Sequence, residues 1–241
     1  MAKPVHVGCS GFSYKHWRGS FYPEKLPAKD MLGYYAQRFA AVEINATFYR
    51  LPTEKAAKAW ADRTVDDFVF AVKGRRYMTH VYRLRKPEGV ELLWKPLAPL
   101  RKAGKLGPIL WQLPPTFERD DDRLEGFLAK LPKGTHCFEF RHASWFKPAV
   151  RRLLEAHGAS LVIAHDARSD LPEAKPCGPV VYVRFHYGAK GRGGNYSRSE
   201  IQVWARKIAA WRSRREVFAY FNDDMRGFAP SNAAELSSSL R

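Results

Sequence analysis

The seven residues VVYVRFH, Val180 to His186, alternate with a period of two. Val181, Val183 and Phe185 are apolar, while Tyr182, Arg184 and His186 share the opposite parity. Successive side chains of a β-strand point to opposite faces, so this segment reads as a strand with one apolar face and one polar face. Seven more β-rich runs lie along the chain: VHVGCS from Val5, AVEIN from Ala41, FVFAVK from Phe68, ILWQL from Ile109, HCFEF from His136, SLVIAHD from Ser160 and VFAYFND from Val217. Helical patterns separate most of them. TEKAAKAWADR opens at Thr53, a natural N-cap, and SRSEIQVWARK opens with Ser197 and Glu200 at the spacing of a capping box. Strand and helix alternating eight times in 241 residues is the pattern of a (β/α)8 TIM-type barrel. An open doubly wound sheet is the alternative.

Two connections depart from the pattern. ARSDLPEAKPCGP, between strands six and seven, carries three prolines and leaves no room for a good helix. GVELLWKPLAPLRKAG is helical in character, but Pro96 and Pro99 kink or break it. No linker-like tract divides the chain, so residues 1–241 read as one domain.

In a barrel of this type the outward face of each strand must be apolar to bury the helices, and functional residues sit at the strands' C-terminal ends. The polar parity therefore points into the mouth. Reading each strand to its end gives Glu43 and Asn45 from strand two, Lys73 from strand three and Gln112 from strand four. Strand five gives Glu139 and Arg141, followed by His142, and strand six gives Asp166. Strand seven gives Arg184 and His186, and strand eight Asn222, with Asp223 and Asp224 after it. Barrel interiors are normally filled by branched apolar residues, and buried charge is costly unless paired. Nearly every strand ending in a polar or charged residue therefore favours a site over a plug of ion pairs.

Glu43, Glu139, Asp166 and His186 are the expected catalytic groups. Glu43 and Glu139 form an acid/base pair if proximity drives their pKa values apart. Asn45, Lys73, Gln112, Arg141, His142, Arg184, Asn222 and Asp224 are expected to bind substrate. Lys73, Arg141 and Arg184 suit a phosphate or carboxylate, and a Schiff base on Lys73 is a further option. The sequence names no cofactor and no assigned metal ligand. A divalent cation on Glu43, Glu139, Asp166 and His186 is the alternative chemistry. Three cations in the same mouth and the lack of a compact ligand motif such as HExxH stand against it.

The charge is strongly basic: 41 Lys and Arg against 24 Asp and Glu, a net +17. Such a surplus favours anionic partners, nucleic acid among them. The segment KGRRYMTHVYRLRK, residues 73–86, holds six Lys or Arg, no acid, and Tyr77 and Tyr82. It follows strand three, on the mouth side, where it suits a nucleic-acid rim together with Lys190, Arg192 and Arg198. The glycine-rich loop GAKGRGGNYSRSE leads into the helix capped by Ser197 and is a candidate phosphate cradle. The three cysteines are too few and too scattered for a disulfide framework or a metal cluster. With no long apolar run and no leader pattern, a cytoplasmic location away from membranes is expected.

The segments GCSGFSYKHWRGSFYP, YYAQRFAAVEINATFYRLP, FVFAVKGRRYMTH, KLGPILWQLPPTF, FEFRHASWF, VVYVRFHYG and VFAYFNDDMRGFAPSNA resemble, in order, those of the YecE-like family, also called domain of unknown function 72. The resemblance implies a TIM barrel and no particular reaction. Where that family usually has Asn-Asn-Asp after strand eight, this chain has Asn222-Asp223-Asp224, and Tyr187 stands where a glycine usually follows the strand-seven histidine. The function expected overall is that of an enzyme, with hydrolysis the first reaction considered, acting on an anionic, phosphate-bearing substrate such as nucleic acid or a nucleotide. A non-catalytic nucleic-acid-binding barrel is the alternative.

Overall fold

A computed structural model describes residues 2–189, 193–222 and 226–241. Eight parallel strands close on themselves in chain order, with β1 pairing β8 to complete the ring. They are β1 (Val5–Ser10), β2 (Ala41–Ile44), β3 (Val69–Lys73), β4 (Leu106–Gln112), β5 (His136–Glu139), β6 (Ser160–Asp166), β7 (Val180–Tyr187) and β8 (Glu216–Phe221). The helices are α1 (Met31–Ala36), α2 (Glu54–Asp62), α3 (Val90–Trp94), α4 (Ala98–Lys102), α5 (Asp121–Leu128), α6 (Pro148–Ala156), α7 (Arg198–Trp211) and α8 (Phe228–Ser239). The barrel read from the sequence is the observed fold, and closure excludes the open sheet.

Local chemistry sets the helix ends. Thr53 accepts from Ala56 N to start α2, and Asp120 accepts from Arg123 N to start α5. Ser197 and Glu200 complete the capping box of α7. The two prolines after β3 split one helical stretch into α3, a 3-10 turn over Lys95–Leu97, and α4. Among the described residues no helix joins β6 to β7, as the prolines of that connection require. Nor, among them, is any helix long and apolar enough to cross a membrane.

Side-chain parity follows the alternation. Val42, Ile44, Phe138, Phe140, Val181, Val183 and Phe185 join the large core between strands and helices. Ala41, Ala71, Leu110, Cys137, Val162, Val180, Tyr182, Phe218 and Tyr220 form a second apolar cluster inside the barrel. Two residues further along each strand or just past its end, the same inner parity gives Glu43, Lys73, Gln112, Glu139, Ala164, Arg184 and Asn222. The barrel is thus oily below and charged at its C-terminal end.

Candidate functional site

Arg184 sits at the centre of the charged layer, fully buried. Its Nε donates to Glu43 Oε2 at 2.9 Å and its Nη2 to Glu43 Oε1 at 2.7 Å, a bidentate pair. Nη1 reaches across the barrel to Glu139 Oε2 at 2.7 Å, and Nη2 also donates to Asn222 Oδ1 at 3.1 Å. One guanidinium from β7 therefore ties together carboxylates from β2 and β5.

Glu43 accepts two further bonds, from Ser10 Oγ at 2.5 Å and Tyr182 Oη at 2.6 Å. Glu139 Oε1 collects Arg141 Nε at 2.6 Å, His186 Nε2 at 3.1 Å and Gln112 Nε2 at 3.3 Å. The Arg141 contact is an ion pair without the alignment of a hydrogen bond. Burial alone raises a carboxyl pKa. For Glu43 this is outweighed by the charge and hydrogen bonds of Arg184, helped by Ser10 and Tyr182, and its pKa falls below the ordinary value. For Glu139 the charges of Arg184 and Arg141, with the hydrogen bond to His186, outweigh burial, and its pKa lies well below normal.

That arrangement corrects the expected acid/base pair. Two adjacent carboxylates drive their pKa values apart when they face each other; here a guanidinium stands between them and holds both ionised. Glu43 and Glu139 form the frame of the site, not its proton donor and acceptor.

His186 is an imidazole in contact with that frame. Asn222 spends its carbonyl on Arg184, so its amide hydrogens face His186 Nδ1 at 3.1 Å. Nε2 faces two opposed partners, Glu139 Oε1 at 3.1 Å, which calls for a proton on it, and the Arg141 Nη2 donor at 2.8 Å, which calls for its lone pair. Burial lowers the His186 pKa despite the charge of Glu139, leaving a neutral imidazole at pH 7. Arg141 packs against it, with Nη2 2.8 Å from Nε2.

Lys73 is the odd member. Thr47 holds the end of β3 by donating to the Lys73 carbonyl at 2.7 Å, and the Lys73 Nζ lies 4.4 Å from the centre of the Phe48 ring. Among the described residues no carboxylate pairs with it, because both neighbouring ones are committed to Arg184. Burial pushes its pKa down, the charge of Arg184 adds to this, and Glu43 and Glu139 only partly oppose it; the result is about 8. Asn45 donates to Asn222 at 3.3 Å, while its buried Oδ1 has no partner.

Other expected site residues stand elsewhere. Asp166 pairs with Arg168, at 2.9 and 2.8 Å, because a β-bulge between His165 and Asp166 shifts its register against β7. It lines a cleft of about 340 Å³ between the β6–β7 connection and α7, which holds Glu173, Trp204 and Lys207 and is shared with Arg141, but not with Glu43 or Glu139. His142 caps the short turn Ala143–Trp145, with Nδ1 2.8 Å from Ser144 Oγ, which is a local structural task. Asp223 and Asp224 lie outside the described residues, as do Lys190 and Arg192. The helix start offered as a phosphate cradle is already filled by its own carboxylate: Glu200 accepts from Ser197 N at 2.8 Å and Ala189 N at 3.0 Å. Among the described residues no three His, Cys, Asp or Glu groups are placed to hold a metal ion.

Three contributors were not among the expected site residues. Ser10 and Tyr182 were visible as inward positions, yet only the geometry reveals them as donors to Glu43. His80 lies in the π-helical turn Tyr77–Val81, where its ring meets Phe48 edge-on at 5.0 Å. Nothing in the surrounding basic run marked it.

A family model described as "Protein of unknown function DUF72" matches residues 6–241. The protein YecE of Escherichia coli is 30% identical, the match covering 86% of this chain and 84% of YecE. YunF of Bacillus subtilis is 23% identical, with 96% and 93% covered. The crystal structure of a DUF72 family protein from Thermotoga maritima superposes with a TM-score of 0.89 at 28% identity, covering 98% of this chain and 99% of that one.

Proposed function

The chain belongs to the DUF72 family of proteins of unknown function, and from that premise, a shared barrel without an assigned reaction, we propose that it is an enzyme acting on an anionic, phosphate-bearing substrate held in the barrel mouth. One observation carries this reading: among the described residues at the head of the barrel, three cationic side chains outnumber two carboxylates. Glu43 and Glu139 face Arg184, Arg141 and Lys73, and Arg184 engages both carboxylates. Arg141 keeps 22% of its side chain exposed and is the natural anchor for an incoming anion. Past the end of β2, the Asn45 Oδ1 has no partner among the described residues and suits a hydroxyl of the same molecule.

Calorimetric titration with inorganic phosphate and with ribose 5-phosphate tests the proposal. A charge-assisted hydrogen bond contributes about 1.5–3 kcal/mol, so Arg141→Gln should weaken binding by roughly tenfold or more. Equal affinity in the wild type and the variant would remove the anchor from this reading.

A second reading is favoured by exposed aromatics beside the mouth. Tyr49 is 77% and Tyr77 51% exposed. Arg75 lies 5.2 Å from the Tyr77 ring and Lys86 4.8 Å from the Tyr82 ring. Such a surface suits single-stranded nucleic acid, with bases stacked on tyrosine and phosphates on the basic side chains. Reversing Arg75, Arg76 and Arg83 to Glu should then flatten the salt dependence of oligonucleotide binding. If the slope of affinity against salt does not change, the rim is a solvated surface.

A further inference from the structure

We infer that the Lys73 side-chain amine condenses with the carbonyl group of a small aldehyde or ketone that also carries an anionic group, an open-chain sugar phosphate being representative. The inference rests on the anion-binding reading above and adds to it a bond and a substrate class.

The geometry distinguishes Lys73 from a lysine placed for charge. An ion-pairing lysine rests on a carboxylate; here Arg184 holds both nearby carboxylates at 2.7 Å. A structural lysine is surrounded by acceptors, and this chain supplies one for comparison. Lys105 is buried, and its Nζ donates to Ala61 O and Thr64 O, both at 2.8 Å, and to Thr64 Oγ1 at 3.3 Å. Among the described residues Lys73 has neither arrangement. Its Nζ is held against the Phe48 ring at the open end of the barrel, among Glu43 of the adjacent β2, Glu139 and Arg141 at the end of β5 and Arg184 of β7, and within the field it exerts on His80. Its position is fixed from behind: Gly74 packs so tightly that a Cβ there would lie 2.3 Å from the Trp111 ring.

Reactivity follows from this setting. With a pKa near 8, a useful share of the amine is unprotonated at neutral pH. His80 meets the same Phe48 ring edge-on at 5.0 Å. Burial and the charges of Lys73 and Arg76 lower its pKa to about 4, so it stays neutral. The Thr79 hydroxyl donates to Arg75 O at 3.3 Å and accepts from His80 Nδ1 at 2.8 Å, which leaves the lone pair on Nε2. In the reaction the amine lone pair forms the C–N bond and the carbonyl π electrons move to oxygen. Solvent water carries one proton from nitrogen to oxygen, a second proton from solvent lets the hydroxyl depart as water, and the iminium nitrogen returns that proton to solvent. Aldehyde plus amine becomes imine plus water, with no change of oxidation state. Arg141 holds the anionic group and so sets which carbonyl compounds remain long enough to react.

The test is reductive trapping. The protein is incubated briefly with ribose 5-phosphate, or separately with glyoxylate, and sodium cyanoborohydride, and modified lysines are located by peptide mass spectrometry. Lys73 should be labelled at least about tenfold faster than exposed lysines such as Lys15 and Lys58, and Lys105 should be spared. The rate should rise with pH to a plateau above about 8, following deprotonation of Lys73. Arg141→Gln should slow the labelling, and folded Lys73→Arg protein should lose the fast phase. Labelling of Lys73 no faster than of exposed lysines, or no labelling by either probe, overturns the inference. Phosphate binding by calorimetry separates the two readings: if it persists without selective labelling the imine alone fails, and if it is missing the anion site fails as well.

Discussion

Arg184→Met should destabilise the fold by about 3–5 kcal/mol, because it removes one partner from a buried ion network. Glu139 would keep Arg141, but Glu43 would be left with only Ser10 and Tyr182 as hydrogen-bond donors. A buried carboxylate without a counter-charge is the expensive state; the well-packed methionine is not. The sign of the pH dependence makes the test specific. In the wild type the folded pKa values of Glu43 and Glu139 are depressed. Their contribution is present above the unfolded value of about 4.3 and is lost as pH falls through the folded values. In the variant Glu43 should have a raised pKa, so its penalty grows as pH rises towards neutral. Urea unfolding at several pH values should show the gap between the two proteins widest near pH 7 and narrowing towards pH 4. A gap independent of pH would mean that lost packing, not an orphaned charge, is responsible.

Gly8→Ala should cost as much, for a reason unconnected with charge. Gly8 pairs with Ala41 across β1 and β2. A Cβ on it would lie 1.9 Å from the Ala41 carbonyl oxygen and 2.8 Å from the Tyr35 hydroxyl. That hydroxyl bridges the two strands, accepting from Cys9 N at 2.7 Å and donating to Ala41 O at 3.0 Å. The closer clash is with backbone, which has no rotamer to change. The loss should reach or exceed the upper end of the about 1–3 kcal/mol usual for overpacking. Adding Tyr35→Phe should not rescue the variant, since it removes the hydroxyl but not the carbonyl. Recovery in the double variant would show that the tyrosine, rather than the strand backbone, sets the limit.

The barrel was legible because alternation is a strong signal. Val181, Val183 and Phe185 against Tyr182, Arg184 and His186 fix which face meets the helices, and the same logic places Glu43, Glu139 and Gln112 inside. What alternation cannot state is who pairs with whom around the ring. Glu43 and Glu139 come from strands two and five, and only their distances to Arg184 turn two apparent acids into a frame. Asp166 illustrates a second limit. It ends its strand with the inward parity, yet one bulge shifts it against β7 and it pairs with Arg168. Bulges leave little trace in side-chain type. His142 failed differently: a histidine beside a charged pair looks functional, but at the start of a short turn its ring nitrogen is as useful to the backbone. At α7 the capping box was readable, while its consequence, that Glu200 occupies the anion position, follows only from seeing both backbone amides it accepts from.

The Arg184 network also bears on how the chain reaches its closed form. Arg184 is 141 residues from Glu43 and 45 from Glu139. A partly assembled barrel built from the first five strands would contain both carboxylates and lack the guanidinium they share, so that Glu139 keeps Arg141 while Glu43 has no paired arginine. Such a half-barrel carries an electrostatic handicap just where it would otherwise be stable, at its inner layer. The late-arriving seventh strand removes it in one step. The network thus acts as a latch that rewards only the complete ring, and losing Arg184 should mainly hasten opening of the finished barrel rather than slow its early assembly.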